Sequence, residues 1–384
     1  MRKKVCIVVT ARPSYSRVKT LLHAIKENSD LELQLLVSGT ALLDKYGNTD
    51  DFIEKDGFTI TERVYNVLEG GNPTSMAKTT GIAILELTTA FLNLKPDIVI
   101  TIADRYETIA TSIASTYLNI PLGHIQGGEV TGNIDEKVRH ANTKLADIHF
   151  AASEGARERI IKMGENPDFV FNTGCPSIDI AQMVYKNKGL DFNPFKKYSS
   201  VGKPFNIDNG YQVVLQHPET YEYQNARQQI EETLFAVKDS KIPTFWFWPN
   251  SDAGTDDTSK GIRAFRELNR ESEISFFKNM SSEDFLKLIL NAKVLIGNSS
   301  TGIRESSFLG VPVVNIGSRQ NSRDRAKNVI DVDYQRDEIL SAIQKQVRHG
   351  HYEQSFLYGN GNSGKTIADI LVKTQVGSSK KLHY

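Results

Sequence analysis

Two doubly wound α/β domains are predicted by three observations along these 384 residues. Short apolar runs alternate with helical patterns almost throughout. That rhythm falters once, near residues 186–208, and then restarts. The length also exceeds what one hydrophobic core comfortably serves, while suiting two. Strand, helix, strand at this spacing gives a parallel sheet covered by helices on both faces.

The first strand is expected at residues 5–10. Met1-Arg2-Lys3-Lys4 before it imitates a signal peptide, but the apolar run from Val5 to Val9 stops at Thr10 and Arg12, too soon for a secretory segment. Val18, Leu21, Leu22 and Ile25 then recur at i, i+3, i+4 and i+7, the stripe of an amphipathic helix. Strands follow at 33–38, 98–102, 122–125 and 149–152, with a long helix from about 74 to 94 that stops before Pro96. Lys, Asn, Pro, Gly and Ser crowd residues 186–208 without periodicity and read as a linker. The second set of strands is 213–216, 244–248, 274–277, 294–297 and 313–316.

The expected organisation is thus a first domain over 1–185, a second over 186–365, and a closing segment, 366–384, that rejoins the first. That segment holds a short helix at about 366–373 and a frayed polar tail from 376. Two such units in tandem place a ligand cleft at the carboxyl ends of their strands.

Forty-six basic residues balance forty-six acidic ones, so no global field draws nucleic acid or anionic lipid. Any phosphate site must be local, and neither nucleic acid nor membrane is expected as a partner. No stretch approaches the length of a membrane span. Two lone cysteines, Cys6 and Cys175, suit a reducing compartment, the cytosol, and no Cys/His cluster suggests a metal.

In such folds the chemistry follows the strands. Ala11-Arg12-Pro13-Ser14-Tyr15-Ser16 opens a helix, and an arginine at the positive pole of a helix is poorly placed unless an anion shares it; the bland alternative is a solvated side chain. Asn298-Ser299-Ser300-Thr301-Gly302-Ile303-Arg304-Glu305 puts small hydroxyls at a strand-to-helix turn, where they either meet a phosphate or cap the helix. Glu305, a turn further in, can accept two ribose hydroxyls or pair with an arginine.

Densest is a third group. Ala103-Asp104-Arg105-Tyr106-Glu107 follows one strand, and His124-Ile125-Gln126-Gly127-Gly128-Glu129 ends the next. Asn133-Ile134-Asp135-Glu136 then opens a helix in capping-box fashion, and that helix carries Arg139 and His140. Asp135 alone reads as a first-turn acid stabilising the helix dipole. Several acids among histidines and arginines at neighbouring strand ends read as a site for proton transfer.

Gly359-Asn360-Gly361-Asn362-Ser363-Gly364-Lys365-Thr366 fits the phosphate-loop pattern of nucleotide triphosphatases at every letter. That motif needs a buried strand before it and a βαβ core after it. Only one short helix remains, so the stretch is read as a Gly-rich loop returning the last helix to the first domain.

The combination resembles the hydrolysing UDP-N-acetylglucosamine 2-epimerases of sialic acid and related nonulosonic acid synthesis. The matching pieces include Tyr46-Gly47-Asn48-Thr49, Asp104-Arg105-Tyr106-Glu107, Gly127-Gly128-Glu129, Ile134-Asp135 with Arg139-His140, Gly174-Cys175-Pro176-Ser177, Gln216-His217-Pro218, Pro249-Asn250-Ser251-Asp252, Gly297-Asn298-Ser299-Ser300 and Gly317-Ser318-Arg319-Gln320, collinear over nearly the whole chain. The resemblance implies two Rossmann-like domains in the glycosyltransferase type B fold. It implies Arg12, Ser16, Arg105, His217, Asn250, Ser299, Ser300, Glu305 and Arg319 at the nucleotide, and His124, Arg139 and His140 beside the sugar. Asp104 and Asp135 match carboxylates of the first chemical step. The third acid of the pattern is Gln126 here, and an amide carries no proton at neutral pH, so either Glu129 or another group serves or the step is managed differently. Ala103 replaces a glycine.

The implied reaction takes UDP-N-acetylglucosamine and water to N-acetylmannosamine and UDP, with no cofactor, in a homodimer or homotetramer. An alternative substrate is a UDP- or GDP-linked diacetamido-trideoxy sugar of legionaminic type. From another class, Gln126 admits an inactive nucleotide-sugar-binding regulator.

Overall fold

The computed structural model describes residues 2–44, 48–70, 72–131, 134–219, 221–249 and 254–383. The chain divides into two compact units. The first comprises Met1–Val130, Ile134–Ile180 and Tyr358–Tyr384, and the second is built on Ala181–Leu357. The chain therefore leaves the first unit within the helix Pro176–Lys186 and returns to it at Tyr358.

The first unit holds β1 (Lys3–Val9), β2 (Leu31–Ser38), β3 (Glu62–Val64), β4 (Ile98–Ile102), β5 (Leu122–Ile125), β6 (Ile148–Ala151) and β7 (Val170–Asn172). They form one parallel sheet in the order β3-β2-β1-β4-β5-β6-β7. Helices cover both faces. On one, Leu21, Leu22 and Ile25 of the helix Lys19–Glu27 pack with Ile367, Ala368 and Leu371 of the last helix over Val5, Ile7 and Val9. On the other, Ala83, Leu87, Ala90 and Phe91 of the helix Pro73–Leu94 bury Cys6 and Val8. That long helix starts at a capping box: the Asn72 side chain accepts from the Ser75 amide, and Ser75 Oγ accepts from the Asn72 amide.

The second unit holds β8 (Ser200–Gly202), β9 (Gln212–Leu215), β10 (Thr244–Phe247), β11 (Ile274–Phe277), β12 (Leu295–Gly297), β13 (Val313–Ile316) and β14 (Val329–Val332), in the order β14-β13-β12-β9-β10-β11-β8. All pairings are parallel except β8 with β11. The expected two-unit doubly wound architecture is present. Residues 186–208 are more than a linker, however. They supply the edge strand β8, and Phe195 stacks on Phe245 within the second unit's aromatic core.

One further expectation is corrected. The last helix runs Ser363–Lys373, close to the span expected, but the polar tail beyond it is not frayed. Lys380 donates to the carbonyls of Thr143 and Ala146, and the His383 amide to the carbonyl of Gly164. The tail's polarity is the polarity of its anchors. No described helix is long and apolar enough to cross a membrane.

Candidate active site

Strand order reverses between β1 and β4 in the first unit and between β9 and β12 in the second. Ligands of open α/β sheets bind beyond the carboxyl ends of strands at such switch points. The segments emerging there are Ala11-Arg12 and Ala103-Asp104-Arg105 in the first unit, and Gln216-His217 and Asn298-Ser299 in the second.

In the first unit Asp104 accepts a hydrogen bond from Nη2 of Arg139, and Nη1 of Arg17 lies 4.0 Å from its other oxygen. Arg139 has 0 % exposure and rises from the middle of the helix Ile134–Leu145; its Nη1 donates to the Glu129 carbonyl at 2.8 Å. Burial opposes its charge, but Asp104, Glu129 and Asp135 outweigh that and hold its pKa above the ordinary value. One guanidinium thus fixes the β4 carboxylate and the loop after β5 together.

The loop itself is tightly constrained. Ala103 and Gln126 stand at φ +60° and +67°, in the left-handed region that costs a side-chain-bearing residue about 1–2 kcal/mol. That backbone explains why the resembled pattern has glycine where Ala103 stands. Gly128 is at φ +74°, and a Cβ there would lie 2.2 Å from the Ala156 carbonyl oxygen. Arg159 Nε donates to the Gly128 carbonyl at 2.6 Å. The Gln126 amide, 1 % exposed, donates to Cys175 Sγ at 2.7 Å, and that sulfur lies 2.9 Å from Ser177 Oγ.

His124 is held at both ring nitrogens. Nε2–H donates to the Ala103 carbonyl at 2.9 Å, so Nδ1 accepts from Thr143 Oγ1 at 3.1 Å. Burial pushes its pKa down to about 3 against the pull of the Ala103 hydrogen bond, so the ring is neutral near pH 7. It ties β5, β4 and the helix Ile134–Leu145 to each other. Asp135 sits in that helix's first turn, half-buried, and His140 pairs with Glu136 at 3.2 Å, one turn away. The structure therefore unites Asp104, Arg139 and the backbone of Glu129, while His140 engages its own helix. Arg105 Nε bonds Glu107 at 2.7 Å, Arg12 stacks over Phe52 at 4.7 Å, and Ser16 Oγ donates to the Arg12 carbonyl at 3.4 Å.

Sequence reasoning missed the placement of Arg17 and Arg159. Arg17 follows Arg12 by five residues from the same strand end, a signal that was available; Arg159 lies on a later helix with no local cue.

In the second unit Asn298 locks β12 to β9. Its Oδ1 accepts from the His217 amide and its Nδ2 donates to the His217 carbonyl, each at 2.8 Å. Gln320 Nε2 donates to the Asn298 carbonyl at 2.9 Å, which brings the loop carrying Arg319 to the same strand end. Ser299 caps the helix Ser300–Ile303 by accepting from the Thr301 amide, as the plainer reading of that serine had it. Glu305 opens the helix Glu305–Leu309; its Oε2 is buried and, among the described residues, has no hydrogen-bond partner. Asn250 and the following residues 251–253 lie outside the described residues, as do Asn133 and Tyr46-Gly47.

The phosphate-loop look-alike is occupied by the protein itself. Asp179 Oδ1 accepts from the Ser363 amide at 2.8 Å and Oδ2 from the Gly364 amide at 2.7 Å. These are amides that a bound phosphate would need, and a carboxylate already fills them. Gly364 is required for close packing, since a Cβ would meet the Leu21 amide nitrogen at 2.6 Å. Lys365 points to solvent. Lys365→Ala is expected to leave turnover within severalfold of the parent, and the parent to show no ATP hydrolysis in a phosphate-release assay. ATPase activity present in the parent and lost in the variant would overturn this.

The family profile of UDP-N-acetylglucosamine 2-epimerases matches residues 23–372. The chain belongs to that family. It is 33% identical over 372 residues, covering 97% of this chain and 96% of the relative, to a Legionella pneumophila protein named UDP-N,N'-diacetylbacillosamine 2-epimerase (hydrolyzing). It is 32% identical to the GDP/UDP-N,N'-diacetylbacillosamine 2-epimerase (hydrolyzing) of Campylobacter jejuni, covering 86% of this chain and 84% of that one. Among solved structures, UDP-GlcNAc 2-epimerase from Neisseria meningitidis bound to UDP-GlcNAc superposes with a TM-score of 0.79 at 20% identity, covering 97% of this chain and all of that one. This last likeness shows the fold, two Rossmann-like units of the glycosyltransferase type B class.

Proposed function

We propose that this epimerase is a hydrolysing 2-epimerase of a UDP-linked diacetamido-trideoxy hexose of the bacillosamine class. The observation that carries the chemistry is the buried Asp104–Arg139 pair, bonded to the Gly-Gly-Glu loop at the first unit's switch point. The sugar is supported by what the Legionella and Campylobacter relatives are named to act on.

The hydrogen on C2 of such a sugar is not acidic, so cleavage of the C1–O bond must run ahead of its removal. Positive charge builds on the ring, and carboxylates at the site stabilise it while the diphosphate leaves. Asp104 and Asp135 are the assigned carboxylates of this step. Loss of UDP from C1 and of the proton from C2 leaves a glycal. Water then adds its oxygen to C1, and a proton returns to the opposite face of C2. The free sugar inverted at C2 and UDP are the products. Glu129 is assigned the second proton transfer, since the Gln126 amide cannot carry one. His124, neutral and held at both nitrogens, positions the strand ends.

Arg12, Ser16, Arg105, His217, Asn250, Ser299, Ser300, Glu305 and Arg319 are assigned to the nucleotide. Glu305 has the clearest physical support, because its open Oε2 leaves an acceptor for ribose hydroxyls.

The test is a panel of UDP-diacetylbacillosamine, its GDP counterpart and UDP-N-acetylglucosamine, in heavy-oxygen, deuterated water, followed by mass spectrometry. UDP-diacetylbacillosamine should give the free C2-inverted sugar, labelled with oxygen at C1 and deuterium at C2. Turnover of UDP-N-acetylglucosamine alone would move the assignment to N-acetylmannosamine formation. Sugar recovered only as its UDP conjugate would end the hydrolytic reading, and UDP binding without turnover would make the chain a regulator.

A further inference from the structure

Beyond the last helix the described chain has no regular structure, yet the ammonium of one of its side chains reaches a buried carboxylate. Lys380 Nζ donates to the Ala146 carbonyl at 2.5 Å, to the Thr143 carbonyl at 3.3 Å and to Glu165 Oε2 at 2.6 Å. Thr143 and Ala146 are at the C-terminal end of the helix Ile134–Leu145, where carbonyls lack intrahelical partners and the helix dipole is negative. An ammonium is the group such an end accepts best.

Its counterion is built in. Glu165, 2 % exposed, also receives Lys144 at 2.5 Å and His149 Nε2 at 3.1 Å. Burial works against its charge, but the hydrogen bonds from His149, Lys144 and Lys380 outweigh it and hold the carboxyl at about 2. The His383 amide bonds the Gly164 carbonyl at 3.1 Å, closing the tail over the turn next to Glu165. Two cations sharing one buried carboxylate is more than a surface tail needs.

The helix so capped is the one that presents Asp135 and Arg139. Thr143, whose carbonyl binds Lys380, also bonds His124 through its hydroxyl, and His124 bonds the carbonyl of Ala103, the residue before Asp104. A chain of hydrogen bonds joined through Thr143 and His124 therefore runs from Lys380 to the Ala103 carbonyl, one residue before the proposed catalytic carboxylate, all within the first unit.

We propose that the C-terminal segment 375–383 is a strap whose Lys380 is a positioning residue for the active site, fixing the helix Ile134–Leu145 against the strand ends. The inference rests on the proposed reaction for its kinetic consequence, and on geometry alone for its structural one. A displacement on the order of 1 Å in a reacting group can cost about a hundredfold in rate.

The experiment compares the parent, a chain ending at Thr374, Lys380→Ala and Lys380→Cys. Each is read by product formation on whichever nucleotide sugar the parent turns over, by UDP titration, by thermal unfolding and by amide hydrogen exchange resolved along the chain. Truncation and Lys380→Ala should lower kcat about tenfold to a hundredfold, leave UDP affinity within twofold, and speed exchange selectively at residues 134–145. Alkylating Lys380→Cys with 2-bromoethylamine forms a sulfur–carbon bond, expels bromide and restores an ammonium at nearly the lysine length. The native thiols, Cys6 and Cys175, are both buried and should not compete. This treatment should restore kcat, as should adding the free peptide 375–384 to the truncated chain. Unchanged kcat, unchanged exchange at 134–145, or a loss spread evenly over the chain with no rescue by the ammonium would overturn the proposal. If the parent turns over no nucleotide sugar, the proposed function fails, while the exchange comparison still decides whether the strap holds that helix.

Discussion

Asp104→Asn is expected to lower turnover about 10²–10⁴-fold while UDP affinity stays near that of the parent. The amide keeps the shape of the side chain and can still meet Arg139, but it neither carries a proton nor offsets positive charge on the sugar. Most groups assigned to the nucleotide lie in the second unit, which explains why UDP titration should separate the two effects. Gln126→Ala is the contrasting variant. Its amide is turned toward Cys175 and carries no proton, so the expected loss is smaller, about tenfold to a hundredfold. Glu129→Gln should be the more damaging of these two if Glu129 performs the second proton transfer. The three are compared by labelled-product turnover and UDP titration on matched preparations. Gln126→Ala as dead as Asp104→Asn, with Glu129→Gln near normal, would reverse the division of roles.

Arg139→Met should cost about 3–5 kcal/mol of stability, because it takes from the buried Asp104 carboxylate the guanidinium bonded to it. The loss is read as a drop in denaturant midpoint at unchanged slope. Asp104→Asn leaves Arg139 an amide oxygen to meet but removes the opposing charge at that position. The double variant, Asp104→Asn with Arg139→Met, removes both charges and should therefore be more stable than the sum of the single losses implies. Its turnover should remain as low as that of Asp104→Asn. Additive stability losses would show that the pair is not coupled in solution, and recovered turnover would remove Asp104 from the chemistry. If Arg139→Met cannot be purified folded, the comparison of Asp104→Asn with the double variant still carries the test.

All ten strands expected from apolar runs are present: β1, β2, β4, β5 and β6 in the first unit and β9 to β13 in the second. The four that were not anticipated, β3, β7, β8 and β14, are the edges of the two sheets. An interior parallel strand is buried on both faces and must be a continuous apolar run, as Ile98–Ile102 is. An edge strand of three or four residues, such as Ser200–Gly202, is half-exposed and leaves no such mark. The helices were legible for a similar reason: the stripe at Leu21, Leu22 and Ile25 is the face that the sheet buries.

The sequence by itself determined the fold class and the family, because burial writes itself as periodicity and a motif keeps its spacing. It could not determine who pairs with whom. That Arg139 answers Asp104 across 35 residues, that Asp179 fills the phosphate-like loop across 184, and that Lys380 caps a helix 234 residues earlier are long-range contacts. Asp179 and Lys380, read alone, look like an ordinary surface charge and part of a polar tail. Charge and hydrogen-bonding capacity are local properties of a residue, but their satisfaction is not; a buried ion must find its partner wherever the folded chain brings one, and only the tertiary structure decides where that is.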